Sequence, residues 1–176
     1  AHLEAMRING LRVKSDAGEF TIQPVQATDD PTEIGTVDAV LFSTKLYDTI
    51  AAANLIKPII GPNTFVITLQ NGVSSPDMLS EILGSGHVLG GSTYIISHLH
   101  EPGVIEHMGS FKTILFGEIG GQITERAKAF EQVCAEAGID VTLSENIEKI
   151  MWEKFIPLSV MSGVASLARS PMGVIT

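Results

Sequence analysis

The stretch Val37-Asp38-Ala39-Val40-Leu41-Phe42-Ser43-Thr44-Lys45, together with the later stretch Thr64-Phe65-Val66-Ile67-Thr68-Leu69, decides the fold of this chain. Each is an apolar run of strand length, and the segment between them, Leu46–Ile60, has the length of a helix. A strand, a helix and a strand of this size predict a right-handed parallel crossover, which brings the carboxyl ends of both strands to one edge of a sheet. Ligands bind at that edge in open α/β sheets. Lys45 and the bend Gln70-Asn71-Gly72 are therefore candidate neighbours in a binding crevice.

The composition is typical of a globular protein and argues against several classes of function. Of the 176 residues, 44% are apolar and 18% are charged, which is enough for a large core. The net charge is −9 and the chain has no run of five basic residues, so we expect no nucleic-acid or anionic-membrane partner. The uncharged run Phe155–Ala168 is too short to span a membrane, and the single cysteine, Cys134, fits a reducing compartment. These features predict a cytoplasmic protein.

Turn residues predict further strands on both sides of the crossover. Alternating polar and apolar residues around Asp16-Ala17-Gly18 predict a β-hairpin. The Pro102-Gly103 pair is a strong turn signal, so the strands around it are expected to be antiparallel. These strands are predicted at Val88–Ser97, Val104–Met108 and Phe111–Phe116.

A change of composition predicts a domain boundary. An amphipathic helix over Thr124–Ala137 and a short strand over Ile139–Leu143 complete an α/β part. After them a long helix begins that soon becomes almost wholly apolar. The predicted domains are residues 1–143 and residues 144–176.

Lys154 is the chemically unusual residue of the second part. At helical spacing it shares a face with apolar residues on the turns before and after it, and fourteen uncharged residues follow it. Desolvation lowers the pKa of such a lysine toward values suited to proton transfer. Alternatively, Lys154 extends to water at the helix edge or pairs with Glu148 or Glu153. The residues alone leave both interpretations open.

The remaining motifs have weaker meanings. Lys45 is either simply solvated or binds a phosphate or carboxylate, and Asn71 either belongs to a plain turn or offers its amide to a carboxylate. Residues 84–90 miss the dinucleotide-binding glycine spacing and precede a strand instead of following one. A metal site is the alternative for His98, His100 and His107, but they are interpreted as ordinary surface histidines, so no metal ligand is assigned.

Four segments together resemble the ketopantoate reductase family (2-dehydropantoate 2-reductases). They are Leu41–Thr49, Thr68–Val73, Glu101–Ile105 and Trp152–Phe155. The resemblance implies an α/β fold with an incomplete Rossmann-like dinucleotide-binding domain, followed by the first helix of an all-α domain. It implies NADP as the cofactor and the NADPH-dependent reduction of 2-dehydropantoate to pantoate, on the route to pantothenate and coenzyme A.

The resemblance also implies roles for individual residues. Lys154 matches the general acid that protonates the substrate carbonyl, Asn71 matches an asparagine between nicotinamide and substrate, and Lys45 matches a lysine beside the cofactor. Substrate-holding asparagines of the family are replaced here by a leucine and by Ser162. We therefore assign substrate binding to Asn71, Ser159 and Ser162.

Three functions stay open at this stage. The first is the reductase described above, of which this chain would be a central fragment, inactive by itself and lacking a helical domain that could form a homodimer. The second is a related NAD(P)-dependent reductase of another small 2-keto acid. The third is a truncated module without catalytic activity.

Overall fold

The chain folds into seven β-strands and six α-helices within residues 1–175, which are the residues that the computed structural model describes. In chain order the elements are α1 (His2–Asn9), β1 (Leu11–Ser15), β2 (Gly18–Ile22), β3 (Val37–Phe42), α2 (Thr49–Leu55), β4 (Ile60–Thr68), α3 (Ser75–Leu83), β5 (Val88–Glu101), β6 (Val104–Glu118), α4 (Glu125–Glu136), β7 (Asp140–Leu143), α5 (Ile147–Ala168) and α6 (Met172–Ile175). The α/β class predicted from the sequence is confirmed.

The strands form one mixed sheet in the order β2-β1-β6-β5-β4-β3, and β7 also pairs with β6. β3 and β4 are parallel, with Val40 opposite Val66, which confirms the predicted crossover. The helix between them is shorter than predicted, because 3₁₀ turns over Leu46–Asp48 and Lys57–Ile59 flank α2. Pro58 explains the second turn, since proline has no N–H with which to continue an α-helix.

β5 and β6 form a long antiparallel pair, as the Pro102-Gly103 turn predicts. The prediction of two separate strands after this turn is wrong, because β6 continues through its irregular middle. There the pairing shifts from Ile95 opposite Lys112 to Ser97 opposite His107, and Gly109 has a φ of 72°. On its other edge β6 pairs first with β1 and later with β7, in both cases in parallel.

Apolar side chains cover both faces of the central strands. Val66 of β4 faces α2 and α3 and packs with buried residues such as Phe42 and Leu79. Ile67, the next residue, faces the opposite side and packs with Phe116 and Ala127 under α4. Burial on both faces explains why residues 65–67 of β4 form a continuous apolar run rather than an alternating one.

α5 begins where the sequence predicts a change of domain. The Asn146 side chain caps the helix by accepting a hydrogen bond from the Lys149 N–H at 3.2 Å. Ile147 and Met151 in its first half are buried, whereas Pro157 lies inside the helix and most side chains after it are exposed. The domain division itself stays a prediction, and its last residue, Thr176, lies outside the described range. None of the helices within residues 1–175 has the length and apolar character needed to cross a membrane.

Candidate active site

A cavity of about 570 Å³ lies at the carboxyl ends of β3 and β4. The loops after these two strands form one wall, and residues of β5, β6 and α5 form the other. Its lining comprises Ser43, Thr44, Lys45, Leu46, Tyr47, Leu69, Gln70, Asn71, Thr93, Tyr94, Ile95, Ile96, Phe111, Lys154 and Leu158. The volume is that of a typical small-molecule site, and the position is the ligand edge that the sequence predicts.

Lys154 reaches this cavity from α5 and is half-buried. Its Nζ donates a hydrogen bond to the Thr93 carbonyl oxygen at 2.6 Å and lies 5.0 Å from the centre of the Tyr94 ring. Burial lowers the pKa of Lys154 below its ordinary value. The described ion pairs include neither Glu148 nor Glu153 as a partner of this amine, and Glu153 pairs with Lys149 instead. Lys154 is therefore a desolvated ammonium held by a neutral carbonyl.

The cavity is electropositive. It is lined by two lysines, Lys45 and Lys154, and by no carboxylate among the described residues. Lys45 is exposed and follows β3 by three residues, just before the 3₁₀ turn. An anionic ligand that entered this space would meet two ammonium groups and would not have to displace an internal anion.

Asn71 places a side-chain amide at the same cavity. It follows β4 and is exposed, and the next residue, Gly72, has a φ of 111° that side-chain-bearing residues rarely adopt. The structure thus brings Lys45, Asn71 and Lys154 together around one space. Lys45, with the neighbouring hydroxyls of Ser43 and Thr44, could hold the phosphate or ribose groups of a dinucleotide.

Ser159 and Ser162 lie farther along α5 and are exposed. Leu158 is the last residue of the helix in the described cavity lining, so neither serine lines this space. The Ser162 carbonyl oxygen accepts a hydrogen bond from the Ser166 hydroxyl at 2.8 Å, a contact within the helix. The substrate-binding role of both serines stays a prediction.

Gln70 organises the loops of the cavity, a role that the sequence analysis did not assign. Its buried Nε2 donates to the Thr44 carbonyl oxygen and to the Thr49 hydroxyl, both at 2.9 Å. Its Oε1 accepts a 3.3 Å hydrogen bond from Thr68, whose hydroxyl also contacts Ser75 at 2.7 Å. One side chain therefore connects the segment after β3 to the end of β4. The sequence feature that could have indicated this role is the position of a polar residue just after a buried strand.

The sequence analysis also did not identify the residues of the second wall of the cavity. Thr93 and Tyr94 lie within β5, and Phe111 comes from the irregular part of β6. No local motif distinguishes them, because their position depends on the pairing of β5 with β6 and on the packing of α5. Their carbonyl and aromatic groups set the environment of Lys154.

Comparison with known proteins identifies the family to which this fold and cavity belong. Residues 1–121 match the family described as ketopantoate reductase PanE/ApbA. The chain belongs to this family. The resemblance inferred from the four sequence segments is thus confirmed.

Individual relatives agree with the family match. The uncharacterized oxidoreductase YkpB of Bacillus subtilis is 30% identical over 98% of this chain and 56% of its own length. The 2-dehydropantoate 2-reductase of Mesorhizobium japonicum is 29% identical over 93% of this chain and 57% of its own length. This chain therefore spans a little over half the length of these relatives.

A solved ketopantoate reductase structure shows the same fold. The crystal structure of 2-dehydropantoate 2-reductase from Porphyromonas gingivalis has a TM-score of 0.93 and 32% identity to this chain. The match covers 99% of this chain and 61% of that one. The Rossmann-like fold predicted from the resemblance is confirmed.

Proposed function

We propose that this chain forms the cavity of an NADPH-dependent reductase that converts 2-dehydropantoate to pantoate in pantothenate and coenzyme A biosynthesis. The observation that carries the proposal is the Lys154 ammonium, which lies half-buried in an electropositive cavity and donates a hydrogen bond to the neutral Thr93 carbonyl. The names of the relatives support the reaction, and the known sequence family supports a nicotinamide dinucleotide as cofactor. Because the chain spans only part of these relatives, the activity is proposed for the protein that contains it.

Lys154 is proposed as the general acid. A reduced nicotinamide, when bound, supplies a hydride to the carbonyl carbon of a 2-keto acid. As negative charge develops on the carbonyl oxygen, the Lys154 ammonium donates one proton from Nζ to it, becomes a neutral amine and regains a proton from water. The lowered pKa of Lys154 favours this transfer, because it brings the acid closer to neutral pH.

The other residues of the cavity bind and orient. Lys45 would hold the anionic part of the cofactor, and the Asn71 amide would contact both nicotinamide and substrate. Ser159 and Ser162 are proposed to contact the substrate from α5. In this structure they lie outside the cavity, so such a contact requires a substrate that extends along the helix.

A second candidate is a reductase of another small 2-keto acid with a larger apolar group. The observation that favours it is the apolar part of the lining, in which Leu158 faces the same space as Tyr94 and Phe111. An apolar substituent would be buried there, whereas a hydroxyl would lose hydrogen bonds to water. A module without catalytic activity is the third possibility.

The proposals are tested on the full-length protein that contains this chain. Oxidation of NADPH and of NADH is measured with 2-dehydropantoate and with a series of alkyl and aryl 2-keto acids. We expect turnover with NADPH. The 2-keto acid with the highest turnover distinguishes the first candidate from the second. An absence of turnover with every acid would refute both. Lys154→Met should lower kcat by roughly 10²–10⁴-fold. Lys149→Met is the matched control on the same helix, because Lys149 is exposed, pairs with Glu153 and does not belong to the described cavity lining. An unchanged kcat in Lys154→Met would refute the general-acid role.

The remaining proposals concern the environment of the protein. We propose NADP rather than NAD as the cofactor, a cytoplasmic location, and a homodimer formed through helices beyond this chain. Comparing kcat/KM for NADPH and NADH tests the first, localisation of the tagged protein tests the second, and sedimentation of the full-length protein tests the third.

A further inference from the structure

Three side chains with metal-binding groups share one face of the β5–β6 pair near its turn. His98 and Glu106 are directly opposite each other in the antiparallel register, and His100 lies two residues farther along β5. Directly opposed residues point to the same face, and His100 contacts Glu106 even though the pairing is irregular between Leu99 and Glu101. The sheet geometry therefore brings two imidazoles and one carboxylate together, whereas the sequence analysis named a metal site at these histidines as an alternative and assigned no metal ligand.

The distances from Glu106 to the two histidines are close to those between neighbouring donor atoms of a metal site. One Glu106 carboxylate oxygen, Oε2, lies 3.1 Å from His98 Nε2 and 3.1 Å from His100 Nδ1. The three donor atoms all lie within 4.8 Å of one another. In a tetrahedral zinc site with bonds near 2.0–2.1 Å, neighbouring donor atoms are roughly 3.3 Å apart. Both pairs that include Glu106 already have a separation close to this, and the two histidine nitrogens lie within 4.8 Å of each other.

We propose that His98, His100 and Glu106 form a binding site for a divalent transition metal, with zinc as the expected ion. Two imidazoles with one carboxylate are a donor set that zinc accepts, and water would complete the coordination. All three side chains are partly exposed, so the ion can enter without unfolding and the rings can turn toward it. The bound ion would join β5 to β6 by coordination to side chains of both strands.

The surroundings of the cluster set the strength expected of the site. Lys14 of β1 is opposite Glu106 in the parallel register and therefore adds a positive charge on the same face. Glu19 of β2 is opposite Lys14 in turn, but its described ion pair is with Arg12, so the charge of Lys14 is not neutralised by it. None of these residues lines the cavity that contains Lys154. The site is therefore separate from the proposed active site, and its affinity should increase when the charge of Lys14 is removed.

Isothermal titration of the purified, untagged chain with zinc chloride tests the proposal. We expect one zinc ion per chain, and His98→Ala, His100→Ala and Glu106→Gln should each weaken binding by at least the roughly 10- to 100-fold that loss of a supporting partner costs. Lys14→Gln should tighten it. Zinc should also raise the melting temperature of the wild-type chain and not that of the ligand variants.

His107→Ala is the matched control. His107 follows Glu106 on β6, so it points to the opposite face, where its Nε2 lies 2.8 Å from the Phe111 carbonyl oxygen. Zinc binding by this variant should equal that of the wild type. Circular dichroism in the absence of zinc identifies any variant that has lost its fold. The proposal is overturned if the wild type binds no zinc at about 1 mM, if the ligand variants bind as tightly as the wild type, or if His107→Ala abolishes binding.

Discussion

Replacement of Gln70 by leucine tests whether one buried amide connects the two strand ends that form the cavity. The substitution removes the long 3.3 Å hydrogen bond from Thr68, whose hydroxyl keeps its 2.7 Å contact with Ser75. The main loss is of two hydrogen bonds of 2.9 Å, to the Thr44 carbonyl and to the Thr49 hydroxyl. At a net 0.5–1.5 kcal/mol each, their loss costs about 1–3 kcal/mol of unfolding free energy. Thr49 keeps its own hydrogen bond to Leu46 at 2.7 Å, and Thr44 is exposed to water. Because both partner groups can still form hydrogen bonds, to the protein or to water, the loss of unfolding free energy should not exceed this range.

Urea denaturation of the chain, followed by circular dichroism, measures this cost. Gln132→Leu is the matched control, because Gln132 is exposed and its described hydrogen bond, to Glu136 at 2.9 Å, lies on the surface of α4. The control should change the unfolding free energy by no more than about 0.5 kcal/mol. In the full-length protein, Gln70→Leu should also weaken cofactor binding, since it releases the segment next to Lys45. Equal stabilities for Gln70→Leu, the control and the wild type would refute the role of this network.

Three further predictions concern the stability and reactivity of the chain. Glu118 is buried and receives two hydrogen bonds from Arg126, at 2.7 and 2.6 Å. Arg126→Met should therefore lower the unfolding free energy, measured by urea denaturation, by about 3 kcal/mol. A decrease of less than about 1 kcal/mol would contradict this. Burial raises the pKa of Glu118, but the hydrogen bonds from Arg126 and from the Thr124 hydroxyl outweigh it and lower the pKa below the usual value. The stabilisation by this pair is therefore complete above the ordinary pKa of glutamate and is lost as the pH falls through the lowered pKa of Glu118. The Arg126→Met variant should lack this acid-dependent loss. Gly91→Ala would place a Cβ 2.6 Å from the Thr68 carbonyl oxygen. This close contact should lower the unfolding free energy by about 1–3 kcal/mol. An unchanged midpoint of urea denaturation would show that β4 and β5 move apart freely. Burial raises the pKa of the Cys134 thiol, so its alkylation at pH 8 should be slow in the native chain and fast in urea, and equal rates would contradict its burial.

Local patterns predicted those parts of the fold that local chemistry determines. The crossover from β3 to β4 follows from two apolar runs, and the turn before β6 follows from Pro102-Gly103, where proline fixes φ and Gly103 has a φ of 84°. The continuity of β6 could not be predicted, because residues around Gly109 resemble a strand end and only the pairing with β5 keeps the strand together. The place of β1 beside β6 is likewise a long-range choice that no local signal encodes.

The candidate site, like the fold, could be predicted from the sequence only in part. Lys45 and Asn71 could be placed at the cavity because each follows a parallel strand, and Lys154 because an amine among apolar helix positions is unusual. The contact of Lys154 with Thr93 could not be predicted, since it joins residues 61 positions apart through the docking of α5 on the sheet. The sequence raised a metal site at His98 and His100 only as an alternative, because the approach of Glu106 depends on which residue of β6 lies opposite His98.

Pro157 divides α5 into two halves that should differ in backbone protection. Proline has no N–H, so the Glu153 carbonyl lacks its helical partner, and the helix is weakened one turn after the point where it packs on the sheet. We expect slow amide hydrogen exchange for the turns around Ile147 and Met151 and fast exchange for the exposed turns after Pro157. Lys154 belongs to the protected half. Its amine can therefore keep its position at the cavity while the distal half of the same helix opens and closes many times.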